Sequence, residues 1–195
     1  MPRTWSHVGR CWTNGEPFLA LDADLLGEWF GMSGGAYERL VPDLSYEKTS
    51  VPIGRGSAAL VLTDGDVGDE GWLEVFRDDD GAIAIIQAGG PDYPGILGAA
   101  LAHPTDDDED GDSLSVPTGR LALISAALDG WGPDGAPLAP ESSGPAPTSS
   151  EYDAAADDAG GPLLRVLPGT YRLSIRWMVE LDDESAFARW LLTPA

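Results

Sequence analysis

The hexapeptide SVPIGR at residues 50–55 returns almost unchanged as SVPTGR at residues 115–120, and a looser copy, VLPGT, occupies residues 166–170. In each copy a proline fixes φ at about −65°, and a glycine close behind it permits a tight turn. An apolar run rich in leucine, valine and isoleucine then follows, as at residues 58–62 and 121–124. The repeated unit therefore predicts a turn that begins a buried strand.

Further strands are predicted on both sides of these turns. Residues 72–76 and 82–86 are rich in β-forming side chains, and Asp80-Gly81 between them is a strong hairpin signal. Residues 170–177 alternate apolar with polar side chains, and residues 187–192 form a last apolar run. These patterns predict antiparallel sheets.

Two short helices are predicted beside the strands. Asp22 or Asp24 can cap a helix over residues 25–30, whose leucines and aromatic residues share one face. Pro94 suits the first turn of a second helix, which is expected to end near His103. The predicted fold class is α+β, mostly β: antiparallel sheets, arranged as one unit or as two related halves, with two short covering helices.

The composition fits one globular domain over residues 1–195. The chain has 43% hydrophobic residues and seven tryptophans, which is enough for a core. The acidic run inside residues 104–113 predicts a solvated loop, because no core accepts five adjacent carboxylates. Residues 131–162 are rich in proline, glycine, serine and aspartate, so they are predicted to be a mobile loop.

The net charge of −22, from 11 basic and 33 acidic residues, is the strongest compositional signal. It makes nucleic acid and anionic membranes poor partners, and it either keeps the protein soluble or steers a basic protein toward it. No apolar run reaches the length of a membrane span, the first residues lack a signal peptide, and Cys11 is the only cysteine. We therefore expect a cytoplasmic protein without disulfides.

The acidic residues on and beside the 72–86 hairpin are the predicted partner-binding surface. Residues 64–80 carry eight acidic side chains, and a sheet would hold them in fixed positions. Trp72 and Phe76 share one face with an acid, which is the usual composition of a binding hot spot, although both rings could equally belong to the core. The predicted site consists of Asp64, Asp66, Asp69, Glu70, Trp72, Glu74, Asp78 and Asp79.

No constellation of residues predicts an enzyme, a metal site or a cofactor. Residues 31–35 match the G-x-S-x-G pattern of serine hydrolases, but a helix precedes Ser33 where that motif requires a strand. Residues 64–69 resemble the start of a calcium loop, yet such a loop needs glycine at 69 and glutamate at 75, where this chain has Asp69 and Val75.

The order of landmarks along the chain resembles the immunity protein 21 family of bacterial polymorphic toxin systems. The resemblance covers residues 12–193 and rests on Trp12, Gly15, Pro17-Phe18, the short helix ending at Trp29, Tyr37-Glu38-Arg39, Leu60-Val61-Leu62, Asp64-Gly65-Asp66, and Pro168-Gly169-Thr170-Tyr171-Arg172. The chain departs from the family pattern at Glu16, which replaces a glycine.

This resemblance implies a protein that binds a cognate toxin and neutralises it by occlusion, without catalytic residues or cofactors. The acidic surface then implies a basic toxin domain as the partner. An acidic nucleic-acid mimic or regulatory binding protein is the alternative, and a small hydrolase that uses Ser33 is the third reading.

Overall fold

The computed structural model describes residues 4–133, 135–154 and 160–195. The strands of these residues are β1 (Trp5–Thr13), β2 (Phe18–Asp22), β3 (Ser50–Ile53), β4 (Gly56–Val61), β5 (Gly71–Asp78), β6 (Ile83–Gly89), β7 (Glu109–Asp110), β8 (Leu114–Val116), β9 (Arg120–Ser125), β10 (Ala139–Pro140), β11 (Pro162–Arg165), β12 (Gly169–Asp182) and β13 (Ser185–Pro194). The α-helices are α1 (Ala36–Leu40) and α2 (Tyr93–Ala102), and 3-10 helices occupy Ala23–Glu28 and Val41–Asp43.

The strands form two sheets. The first sheet has the order β1-β5-β6-β13-β12-β7, and β8 also pairs with β12. The second has the order β10-β11-β9-β2-β4-β3. All neighbouring strands are antiparallel except β10 and β11, which are parallel. The predicted α+β, mostly β class with antiparallel sheets is confirmed.

The main core lies between the two sheets. Trp190, Tyr171 and Leu73 of the first sheet pack in one cluster with Phe18 and Leu123 of the second. All five are almost completely buried. Burial of large side chains stabilises a fold by about 1.5–3 kcal/mol per residue, so this layer supplies a major part of the folding free energy.

Both outer faces of the sheets are also covered. Helix α2 packs Tyr93, Ile96 and Leu97 on the outer face of the first sheet. The 3-10 helix Ala23–Glu28 begins at Asp22, whose carboxylate accepts the Asp24 N–H, and it covers the second sheet. Two short covering helices are therefore present, but the first is a 3-10 helix that ends at Glu28, so Phe30 of the predicted helix lies beyond it and is exposed. Strands such as β2 are buried along their whole length because both of their faces are covered, which explains why their sequences do not alternate.

The repeated hexapeptides form the predicted turns. Gly54 and Gly119 have φ values of 52° and 68°, a conformation that favours glycine, and the strands that follow them, β4 and β9, lie on either side of β2. The strands before the turns differ, because β3 pairs with β4 whereas β8 pairs with β12 in the other sheet. The repeat therefore extends to the turn and the strand after it, and not to the strand before it.

Among the described residues, no helix is long and apolar enough to cross a membrane.

Candidate functional site

An acidic cleft of about 770 Å³ opens at one end of the first sheet, where the β12–β13 hairpin meets the loop between β4 and β5. We use the name acidic cleft for the space lined by Asp66, Val67, Gly89, Gly90, Met178, Glu180, Leu181, Asp182, Asp183, Glu184, Ser185 and Ala186. Five of these residues carry a carboxylate, and the described lining includes no lysine, arginine or histidine. The cleft therefore combines a concave shape with one sign of charge, which strengthens the local field.

A buried glutamine holds the floor of the acidic cleft. The Gln87 side-chain amide accepts the Asp64 N–H at 2.8 Å and donates to the carbonyls of Asp64 and Gly68 at 3.1 and 2.8 Å. The turn passes so close to β6 that a Cβ on Gly89 would overlap the Val67 carbonyl. Glutamine and glycine therefore fix the position of the turn, and Asp66 with it.

The opposite wall of the cleft is the tip of the β12–β13 hairpin. The Asp182 carboxylate accepts the Glu184 N–H at 2.9 Å, which orders the tip. This hydrogen bond, together with one from Ser185, lowers the pKa of Asp182, so the carboxylate stays ionised over a wider pH range. Leu181 is 39% exposed between its acidic neighbours. The tip thus presents an apolar side chain within a ring of charge.

Aromatic side chains lie at the edge of the same region. Tyr46 is 50% exposed, and its ring meets that of Trp177 edge-on at a centroid distance of 4.6 Å. Partial burial raises the pKa of Tyr46, and the negative charges of Asp64 and Asp66 raise it further, which places the phenol in the field of the acidic turn. Exposed aromatic rings next to charge are typical of protein-binding surfaces.

The carboxylates of the acidic cleft have no internal counter-ion in the part of the chain that the structure describes. The ion pairs there join cations to Glu74, Asp43, Glu141, Asp24 and Asp108. None includes a carboxylate of the cleft. Because basic residues are few and most of those described are bound elsewhere, the negative charge of the cleft remains available to a partner.

The predicted partner-binding residues divide into three groups. Asp66 lines the acidic cleft, and Asp69 and Glu70 are exposed in the same loop. Asp79 is also exposed, but it follows the last residue of β5, whereas Asp69 and Glu70 precede the first. At the usual rise per residue, β5 is roughly 23 Å long, so it separates Asp79 from those two acids. The remaining predicted residues are buried: Asp64, Trp72, Glu74 and Asp78.

The prediction of a hairpin surface that binds through Trp72, Glu74 and Asp78 is corrected by this burial. Helix α2 and residues 135–153 cover the face of β5 to which Trp72, Glu74 and Phe76 belong. Asp78 instead stabilises the β5–β6 turn, because its Oδ1 accepts the N–H groups of Asp80 and Ala82. Trp72 and Phe76 are core residues, the second of the two possibilities that the sequence left open.

Glu74 is the centre of a buried polar cluster. Its carboxylate is fully buried and lies 2.9 Å from Arg10 Nη2 and 2.8 Å from His7 Nε2, and it accepts the Tyr93 hydroxyl at 2.9 Å. Burial and the adjacent Glu74 charge raise the pKa of Tyr93, so this phenol remains a donor. The Arg10 guanidinium lies 3.7 Å above the Trp72 ring. The Glu74 carboxylate thus has three partners inside the fold, which makes the cluster a structural element.

Residues 135–153, which we call the strap, were predicted to belong to a mobile loop, but they make defined contacts. The Glu141 carboxylate binds Arg77 at 2.9 and 3.1 Å. Burial raises the pKa of Glu141, but the Arg77 hydrogen bonds and one from the Arg165 N–H outweigh it, and the net pKa is lowered. Tyr152 packs its ring near that of Trp72. Residues 134 and 155–159 of the predicted loop lie outside the described residues, and its mobility stays a prediction.

The acidic loop over residues 104–113 is only partly solvated. Asp106 and Asp107 are exposed, as predicted. The Asp108 side chain is 1% exposed and lies between Arg189 and Arg176, each at 2.9 Å. The prediction of five solvated carboxylates is therefore wrong for Asp108, because two arginines of the first sheet compensate its charge.

Neither the hydrolase nor the calcium pattern assembles a site in the described residues. Ser33 donates a hydrogen bond of 2.5 Å to Asp129 Oδ2, whereas His103 packs against Phe187. Burial lowers the pKa of His103, and the positive charge of Arg189 lowers it further. No group of three or more potential metal ligands occurs in these residues.

The sequence reasoning missed the acids of the β12–β13 tip. Glu180, Asp182, Asp183 and Glu184 fall within five residues between the predicted strands at 170–177 and 187–192, and this signal is comparable to the acidic runs at 64–80 and 106–110. Their proximity to Asp66 could not be predicted, because it depends on the order of strands in the first sheet.

Comparison of the chain with models of protein families, with curated proteins and with solved structures finds no match in any of the three. The resemblance to the immunity protein 21 family stays a prediction from the sequence.

Proposed function

We propose that this protein is a toxin-neutralising immunity protein, and that its acidic cleft receives a basic segment of the cognate toxin. The observation that supports this proposal is the group of five carboxylates in one cleft, for which the described residues provide no counter-ion. Such a surface attracts a basic protein over a distance and rejects partners of its own charge.

The apolar and aromatic groups around the cleft support a protein as the partner. Leu181 and Tyr46 are exposed beside the carboxylates, so a partner can bury apolar surface at the centre of the contact while its cations meet the acidic rim. Binding of this kind neutralises a toxin by covering the toxin surface, and it requires no catalytic group on this chain.

The test uses the toxin domain encoded by the neighbouring gene, co-expressed with this protein in a growth assay. The triple variant Glu180→Gln, Asp183→Asn and Glu184→Gln removes three charges from the cleft and preserves side-chain shape. Each exposed ion pair contributes about 0.5 kcal/mol, so we expect roughly a tenfold loss of affinity by calorimetry and a weaker dependence on salt.

The matched control removes the same number of charges elsewhere, through Asp79→Asn, Asp80→Asn and Asp106→Asn at exposed positions. This control should protect cells and bind the toxin as the unmodified chain does. Equal losses for both triple variants would show that net charge alone matters and would refute the cleft as the site. If this protein did not protect cells against the neighbouring toxin but bound another basic protein tightly, the regulatory alternative would be favoured.

A further inference from the structure

Strand β12 has an open edge beside the acidic cleft. Its outer edge is paired with β8 at residues 169–171 and with β7 at Ser174 and Ile175. Beyond Ile175 no strand of the described residues pairs with this edge, although the opposite edge continues to pair with β13 as far as Asp182 and Ser185. Residues 177–182 therefore have one row of backbone donors and acceptors, about 20 Å long, that no described strand pairs with.

The open edge and the acidic cleft belong to the same piece of chain. Met178 and residues 180–182 line the cleft, and they also form the last part of the open strand. Met178 packs against the core between the sheets, together with Val67 of the opposite wall. A strand added to this edge would therefore turn one row of its side chains toward the cleft, since successive side chains alternate between faces.

The charge on the edge determines which strand could be added. Exposed edges are normally protected against pairing by charged side chains and by bulges. Here Glu180 and Asp182 are exposed on the edge, and the register with β13 shifts twice, between Arg176 and Val179 and between Glu180 and Asp182. A second copy of this chain would bring the same acids together, so like charges oppose self-pairing, whereas lysine or arginine on the incoming strand would pair with them.

We infer that the partner binds by strand addition: an extended segment with basic residues at alternate positions pairs with residues 177–182 and directs its cations into the acidic cleft. The backbone hydrogen bonds supply affinity, and the carboxylates select the charge. The inference rests on the proposed function, because it specifies which feature of the toxin the cleft would recognise.

The probe is a nine-residue peptide of alternating lysine and valine. Two analogues carry the same charge: one is N-methylated at every valine and the other at every lysine. In an added strand only one of these sets of N–H groups faces β12, because neighbouring residues present their backbones to opposite edges. Strand addition therefore predicts that one analogue binds roughly tenfold more weakly or worse, and that the other stays within about threefold of the unmodified peptide.

Binding is measured by fluorescence anisotropy at about 50 mM salt, where surface charge is weakly screened. Amide hydrogen exchange should show that the unmodified peptide protects residues 177–182. The variant Glu180→Gln, Asp183→Asn and Glu184→Gln should weaken all three peptides by a similar factor, and the variant Asp79→Asn, Asp80→Asn and Asp106→Asn should leave them unchanged.

Equal binding of both analogues would overturn strand addition and leave the acidic cleft as a purely electrostatic site, with the proposed function intact. Protection outside residues 177–182, or no binding of the unmodified peptide, would also overturn it. The growth assay with the neighbouring toxin separately decides the proposed function.

Discussion

Replacement of Asp108 by alanine should destabilise the protein far more than the same change at its neighbour Asp107. The Asp108 carboxylate is 1% exposed and accepts hydrogen bonds from Arg189 at 2.9 and 3.1 Å and from Arg176 at 2.9 Å. Asp107 is exposed to solvent. The two residues are adjacent and chemically identical, so the comparison isolates the effect of burial.

The expected loss follows from the charge that Asp108→Ala leaves behind. The Arg189 side chain is 3% exposed, and after the substitution it keeps hydrogen bonds to the carbonyls of Ala100, His103 and Pro104 but loses its counter-ion. Breaking a buried ion pair from one side typically costs about 3–5 kcal/mol. For a chain of this size that corresponds to a fall in Tm of roughly 6–20 °C. Asp107→Ala should change the free energy of unfolding by less than about 0.5 kcal/mol.

The assay is urea unfolding followed by circular dichroism, with Tm as a second measurement. The double variant Asp108→Ala with Arg189→Met leaves no buried charge, but it also removes the donors to the carbonyls of Ala100, His103 and Pro104, so it should regain only a small part of the lost stability. If Asp108→Ala lowered the free energy of unfolding by less than about 1 kcal/mol, or by as little as Asp107→Ala, the pairing of Asp108 with Arg189 would not stabilise the fold. Asp108 would then be solvated, as the sequence of the acidic loop predicts.

Further predictions concern other parts of the fold. Glu74→Ala should lower the free energy of unfolding in urea by about 1–3 kcal/mol, since it leaves the buried Tyr93 hydroxyl without its acceptor and the partly exposed Arg10 without its counter-ion, and a value near zero would contradict a structural role. The pKa of Glu141 lies below its ordinary 4.5. Its ion pair with Arg77 therefore stabilises the fold above pH 4.5, and this stabilisation is lost as the pH falls through the lowered pKa. Glu141→Gln should accordingly lower the free energy of unfolding at pH 7 and leave it unchanged in acid. Gly89→Ala should displace the turn at Val67, because the added Cβ would overlap the Val67 carbonyl. Amide hydrogen exchange should then become faster at residues 64–68, and it should become slower at no residue of the cleft.

The elements that sequence reasoning predicted well are those with local causes. The β5–β6 hairpin follows from the Asp80-Gly81 turn between β-forming runs, and the first covering helix follows from the Asp22 cap. The pattern of residues 12–21 predicts a first strand that includes the Asn14-Gly15 turn, and this prediction is wrong because it joins the end of β1 to β2. In the structure that turn separates β1 from β2, which lie in different sheets.

The failures at the site have non-local causes. Trp72 and Glu74 are predicted to be exposed because acidic residues surround them in the sequence. In the structure the Trp72 indole donates to the Glu151 carbonyl, and the Glu74 carboxylate accepts the Tyr93 hydroxyl. No pattern inside residues 71–78 contains those contacts. Likewise, the acidic cleft forms only because β6 and β13 are neighbours, which brings the hairpin tip beside Asp66.

The distribution of charge argues that the acidity of this protein is more than a general aid to solubility. Solubility requires net charge and does not depend on where the charge lies. In the described residues, Arg10, Arg77, Arg176 and Arg189 are bound to internal carboxylates, and the acidic cleft is left without a cation. Its carboxylates surround a strand edge that would otherwise invite self-association, so the same side chains that exclude another copy of this chain would select a basic strand. Moving three negative charges from the cleft to the exposed end of β5 preserves the net charge, and on this argument it should weaken toxin binding roughly tenfold in calorimetry while leaving solubility unchanged.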